Sequence, residues 1–295
     1  MSKYYEKDNL IGILLIILAM AGFAIEDSII KLLTQRLNPG QIIIMIGSGG
    51  TLIFFFMLKF RGIPIQYRIL QNFWVIGRST AELFGTAFFV LSLALVPLTT
   101  VSAIIQVSPL IVTLGAALLL KEKVGIRRWS AIIIGLLGVA IILKPWTESF
   151  QVTAFLTLLG VVGLSARDLA TRRVPKQTHS LVLAFLGFGA TIPAGFILIA
   201  FNPVILIPTW NETLLVLLGI SIGVGSYYCI VMGMRLGEVS AIVPFRYSRL
   251  VFGAAIGVWY FGENLEVSTL IGSTIVVVSG LYALWRETHL SSPQK

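Results

Sequence analysis

Ten runs of about twenty mostly apolar residues follow one another along this chain, and no other feature constrains its fold as much. They cover approximately 10–33, 41–58, 74–95, 99–120, 128–144, 153–171, 180–201, 213–234, 239–261 and 268–286. A helix rising 1.5 Å per residue crosses the hydrocarbon core of a bilayer in about 20 residues. Several connectors between the runs are too short to fold outside the membrane. Composition agrees: 57% of the 295 residues are hydrophobic and 12% are charged, where soluble domains average about 25% charged. A soluble chain of this length could not bury that much apolar surface. The first run begins near Leu10, has no small-residue cleavage site behind it and continues into "FAIEDSIIKLL". It therefore reads as a retained helix rather than a signal peptide.

Basic residues set the expected orientation. Of the 22 lysines and arginines, fifteen fall on the side of the N-terminus and two, Arg36 and Lys144, on the other. The remaining five (Lys31, Arg78, Arg167, Arg246 and Arg249) lie inside spans. This bias predicts ten spans with both termini in the cytoplasm. The net charge of +9 does not point to nucleic acid, because the basic residues are scattered over short connectors and form no continuous patch. One cysteine, Cys229, excludes disulfides within the chain. His179 and His289, in a connector and the tail, assemble no metal constellation. No Gly-rich Lys-Ser/Thr phosphate loop is present, so direct drive by ATP is not expected. No cofactor is expected either. A membrane-embedded enzyme would need a nucleophile with its base, or a metal, and a channel would need a polar lining or a repeated filter; none is evident.

The chain also repeats itself. Shifted by 141 residues, Gly22 falls on Gly163, Asp27 on Asp168, Leu95 on Leu236 and Glu122 on Glu263. The "VSAI" of 101–104 recurs at 239–242, a shift of 138. These coincidences divide the chain into 1–147 and 148–295, with five spans each. An odd number of spans per half makes the second copy enter from the opposite face, which is an inverted repeat. The expected fold is thus an all-α polytopic membrane protein of ten transmembrane helices in two inverted five-helix repeats.

"SAIIQVSPLIVTLGAALLLKEKVGIRRWSAIIIGLLGVAIIL" (102–143) resembles the end of an EamA-type repeat, and so does "PFRYSRLVFGAAIGVWYFGENLEVSTLIGSTIVVVSGLYAL" (244–284). The marker is a small-residue helix ending in an acidic residue (Lys121-Glu122, Gly262-Glu263), a short connector, and then a Gly-containing helix. Lys121 stands where the family usually has Gly. The resemblance, to the ten-helix members of the drug/metabolite transporter superfamily, covers essentially the whole chain. It implies a secondary carrier in a bacterial cytoplasmic membrane. Its central cavity would be lined by spans 1, 3, 4, 6, 8 and 9, with the last span of each half at the periphery. Members include amino-acid exporters, and relatives move vitamins such as riboflavin, nucleotide-like cofactors or drugs. The expected partners are a small-molecule substrate and the lipid bilayer, with a homodimer left open.

Charges inside spans are the candidate site, because by default they face the protein interior and mark a pathway or a structural pair. In span one, Asp27 either belongs to an outer gate or pairs locally with Lys31 at i, i+4. In span three, Arg78 lies near the cytoplasmic end and reads as snorkelling to the interface, while Glu82, one turn deeper, reads as functional. In span six, Arg167 reads as an anchor beside Arg172 and Arg173. Asp168 is the repeat partner of Asp27, so one carboxylate is expected toward each face. In span nine, Arg246 and Arg249 share a face at i, i+3, with Tyr247 round from them and Pro244 expected to kink the helix. Arg249 is too deep to snorkel and needs an anion, either from the protein (Glu82 or Asp168) or from the substrate. Ser108 of span four is expected at the repeat position of Arg249. Gly219-Gly223, Gly253-Gly257 and "GSGG" at 47–50 are expected at close helix contacts. Phe84, Phe88, Phe89, Tyr227 and Tyr228 either line the cavity or face lipid. The whole predicts alternating access by a carrier of a small zwitterionic or amphiphilic metabolite, amino acids first, with export favoured.

Overall fold

The structure, a computed structural model, describes residues 2–121, 125–145, 152–175, 177–236 and 242–291. All regular structure among them is helical: α1 (Ser2–Leu33), α2 (Pro39–Phe60), α3 (Phe73–Leu95), α4 (Leu98–Leu119), α5 (Ile126–Leu143), α6 (Ala154–Thr171), α7 (Ser180–Phe201), α8 (Trp210–Leu236), α9 (Ser248–Trp259, led by a 3₁₀ turn over Val243–Tyr247) and α10 (Val267–Ser291), with a single further turn, Tyr67–Leu70, before α3. Eight of these are long and apolar enough to cross a membrane; α5 contributes a shorter apolar stretch, Trp129–Leu143. No more than half of the most apolar stretch of any of the eight is buried. Side chains such as Leu18, Phe56, Ile133, Phe196 and Val251 point outward, so the solvent of these faces is lipid. The boundary expected at 147/148, Glu122, and the first residues of the expected ninth span lie outside the described residues.

Helix starts follow from local chemistry. The Asn38 side chain accepts from Gly40 N–H, with Pro39 opening α2, and Asn72 accepts from Trp74 and Val75 N–H at the start of α3. His179 caps α7 through its ring nitrogen, which accepts from Leu181 N–H at 3.1 Å. Thr209 and Glu212 bond reciprocally at the start of α8, a capping box that also receives Arg36. The N-terminus of α4 is capped from a distance. Glu263, just beyond α9, accepts from Leu98 N–H at 2.6 Å and Thr99 N–H at 2.8 Å. At the start of α10, Lys144 donates to Glu266 at 2.6 Å and holds that carboxylate below its ordinary range.

The chain forms two compact units that are not the two sequence halves. One comprises Glu26–Val96 and Leu156–Val224. In it α2 packs antiparallel on α7, with Gly40 against the Gly195 carbonyl and Gly50 against the Phe188 ring. Likewise α3 packs antiparallel on α6. A β-carbon on Gly85 would lie 2.7 Å from Leu164 N, and one on Gly160 would lie 2.7 Å from Phe89 N. Gly219 and Gly223 of α8 face Ile29 and Glu26 of α1. The other unit comprises Met1–Ile25, Pro97–Phe155 and Gly225–Lys295. There α4 packs antiparallel on α9, with Thr99 against Gly257 and Ser102 against Gly253. In the same unit α5 packs antiparallel on α10, Gly138 lying against the Gly272 carbonyl, and Gly233 of α8 meets the Gly12 carbonyl of α1. Exchanging the halves leaves this set unchanged. The pairs α2–α7, α4–α9 and α5–α10 map onto themselves, and α1–α8 maps onto α6–α3. That is the mark of an inverted repeat, built where missing side chains let backbones touch in a medium without hydrophobic drive between helices.

The broken helices bear on the expected match of Ser108 with Arg249. In α4 a 3₁₀ stretch, Ile105–Val107, interrupts the helix before it resumes at Ser108. The counterpart stretch before α9 has five residues, Val243–Tyr247, and the helix resumes at Ser248. Where the helix resumes, Ser248 takes the place of Ser108, with Arg249, the residue expected there from the 141-residue shift, next to it. The second half carries two extra residues in its break, which account for two of the three residues by which the repeat shift grows, from 138 at "VSAI" to 141 at Glu263. A further departure finds its reason at the end of these helices. Gly262 has φ +64° and Lys121 has φ +56°, a left-handed conformation that costs a side-chain-bearing residue about 1–2 kcal/mol. Lys121→Gly is expected to stabilise the protein by about 1 kcal/mol, read as a higher melting temperature in detergent. Conversely, Gly85→Ala drives a methyl into the α6 backbone and should cost about 1–3 kcal/mol. Gly77→Ala, at a site with nothing within 4 Å, should cost nothing.

Candidate functional site

The glycine crossing of α3 and α6 fixes which of their other residues meet. With Gly85 against Leu164, the next turns of the antiparallel pair bring Glu82 to Arg167 and Arg78 to Thr171. Arg167 Nη1 donates to Glu82 Oε1 at 2.9 Å, and its Nε donates to the neighbouring Asp168 at 2.9 Å. Arg78 Nε donates to the Thr171 hydroxyl at 3.2 Å, and its Nη2 lies 3.7 Å from Glu82 Oε2. Two guanidiniums and two carboxylates thus form a network with no net charge. Arg78 is 3% exposed and Glu82 8%. Room for the Arg78 guanidinium is made by Gly187 of α7, where a β-carbon would lie 3.2 Å from Nη2.

Two readings from the sequence are overturned here. Arg78 does not snorkel, because its side chain turns into the α3–α6–α7 contact instead of along the helix to an interface. Arg167 is not an anchor beside Arg172 and Arg173, because the α3 register places a carboxylate opposite it. Glu82 and Asp168, the carboxylates expected to answer Arg249, both accept from Arg167. In α1 of the same unit Asp27 is buried. The Lys31 ammonium donates to the carbonyls of Val96 at 2.7 Å and Leu93 at 3.3 Å. It thereby closes the C-terminal end of α3, where a cation is favoured.

The other unit holds Arg246, Tyr247 and Arg249. Arg246 is half-buried in the 3₁₀ turn. Tyr247 is buried, its hydroxyl lodged against Gly280 of α10. The Arg249 guanidinium stands 5.3 Å from the centre of the Phe23 ring, a cation–π contact. Phe23 packs in turn on a buried cluster of Ile16, Ala19, Met20, Ile242 and Val243. Two residues that sequence reasoning passed over, Gln106 and Ser248, lie at the breaks of α4 and α9. Their signal was a Gln, or a Ser beside an Arg, at the centre of an apolar run. Of the aromatic candidates, Phe84 points outward and Phe89 is buried on Gly160. Among the described residues no group of three His, Cys, Asp or Glu is placed to hold a metal ion.

The EamA-like transporter family model matches twice, over residues 10–144 and 151–285, so the chain belongs to that family and is a multi-pass membrane protein. A riboflavin transporter of Vibrio cholerae is 25% identical over 96% of both chains. An S-adenosylmethionine uptake transporter of Rickettsia prowazekii is 24% identical over 95% of both. A pseudopaline exporter of Pseudomonas aeruginosa is 24% identical over 91% of this chain and 94% of its own. A solved crystal structure superposes over 97% of this chain and 99% of its own with a TM-score of 0.62 at 21% identity, a likeness of fold.

Proposed function

We propose that this protein is a secondary carrier of the bacterial cytoplasmic membrane, working by alternating access on a small zwitterionic metabolite, with amino-acid export as the leading assignment. The observation that carries the reading is the neutral four-charge network between α3 and α6. A charged group in hydrocarbon is costly and persists where it is paired and used. Here each helix reaches across to the other, Arg167 to Glu82 and Arg78 to Thr171, so the network is a latch between two helices and not a local pair on one. A latch that can part and re-form suits a gate. The single-chain charge balance also means that parting it exposes both signs, which suits a zwitterion. Asp27, on the repeat-equivalent helix of Asp168, is the candidate for the opposite gate, and Arg246, Tyr247 and Arg249 are candidate substrate contacts.

A second reading is uptake of a vitamin or nucleotide-like cofactor, riboflavin or S-adenosylmethionine, favoured by the names of two relatives. An enzymatic role has no such support, since these relatives are named as transporters.

Glu82→Gln keeps the shape of the latch and removes one charge. In proteoliposomes it is expected to lower substrate flux by about tenfold or more, the equivalent of about 1.4 kcal/mol. Wild-type flux from a folded Glu82→Gln protein would return the network to a purely structural role.

A further inference from the structure

The two broken helices of one unit meet at their breaks. α4 and α9 run antiparallel, with Thr99 on Gly257 and Ser102 on Gly253. One turn further along that register, Gln106 comes level with Arg249. Contacts with α10 lie at the adjoining turn, beside Leu110, four residues beyond Gln106. Gly280 receives the Tyr247 hydroxyl, and the adjacent Ser279 lies with Leu110 of α4 against Gly135. In and beside these two breaks three buried polar atoms have no hydrogen-bond partner among the described residues: Gln106 Nε2, the Tyr247 hydroxyl and Ser248 Oγ. Gln106 is only 5% exposed and Tyr247 6%. Buried donors are almost always satisfied, and a cluster of exceptions calls for a missing partner.

The chemistry of the cluster selects that partner. An amide NH₂ and two hydroxyls all donate, and Arg249 adds a guanidinium at the same level, oriented by Phe23. A metal cation is disfavoured by that charge, whereas an anion with two acceptor oxygens meets every group present. Discontinuous helices are also where secondary carriers hold ligands. We infer that the paired 3₁₀ breaks of α4 and α9 form a carboxylate subsite for the transported metabolite, with Gln106, Tyr247 and Ser248 donating and Arg249 supplying charge. This rests on the carrier reading above and names the group by which the substrate is held.

The test uses the full-length protein in proteoliposomes, offered labelled L-amino acids and S-adenosylmethionine, which carry a carboxylate, and riboflavin, which does not. Saturable flux of a carboxylate-bearing compound is expected, inhibited by the unlabelled acid and not by its carboxamide. Tyr247→Phe should raise KM about tenfold, the effect of one lost hydrogen bond to a charged group. Gln106→Glu, which sets a negative charge against the ligand, should raise it further. Tyr247→Phe should keep the wild-type melting temperature. Flux of riboflavin alone, equal inhibition by acid and carboxamide, or an unchanged KM in both variants would overturn the subsite while leaving the carrier. No saturable flux of any compound would overturn the carrier reading and the subsite with it.

Discussion

Close backbone approach of antiparallel helices at glycine is the interaction on which the rest of this structure depends. In hydrocarbon, helices gain nothing from hiding apolar side chains, so they associate where small residues allow van der Waals contact. Gly85 with Gly163, Gly40 with Gly195, and Gly138 with Gly272 each remove the side chains that would hold two backbones apart. Each crossing also fixes a register, and register decides which polar groups face one another. Had α3 met α6 one residue out of step, Glu82 would turn away from Arg167, leaving charges that the membrane interior does not tolerate.

Charge placement then divides the molecule into two kinds of polar region. In one unit the charges answer each other: two arginines, two carboxylates and a threonine close a network across two helices. In the other, donors gather at two helix breaks, with a guanidinium set against an aromatic ring. A self-compensated network is suited to opening and closing, because it is stable when shut and polar when parted. Buried donors gathered at helix breaks are suited to holding a ligand.

Much of this was legible in the sequence, for physical reasons. Hydrocarbon thickness makes spans visible as apolar runs, and the asymmetry of basic residues follows from how they are inserted. The repeat showed through paired residues such as Asp27 and Asp168. Arg78 and Arg167 were misread because their fates depend on a crossing point, and one-dimensional depth makes each look free to reach an interface. Gly85 and Gly163 gave no warning, since a glycine in an apolar run is common. The longer 3₁₀ turn of the second half, five residues against three, was not legible, because spacing alone does not locate a break inside an apolar run. The Lys121 departure was visible, but its meaning required the left-handed φ that it shares with Gly262.

The central claim is that α3 and α6 must part at their ionic end for substrate to move. Val75 and Val174 pack together one turn beyond Arg78 and Thr171, and replacing them leaves the charged network itself intact. Cysteines at these two positions, in a Cys229→Ser background, allow the helices to be tied by oxidation and released by a reductant. Flux in proteoliposomes should collapse on oxidation and return on reduction. A crosslinked protein that transports at the reduced rate would show that the latch never opens, and would contradict the account.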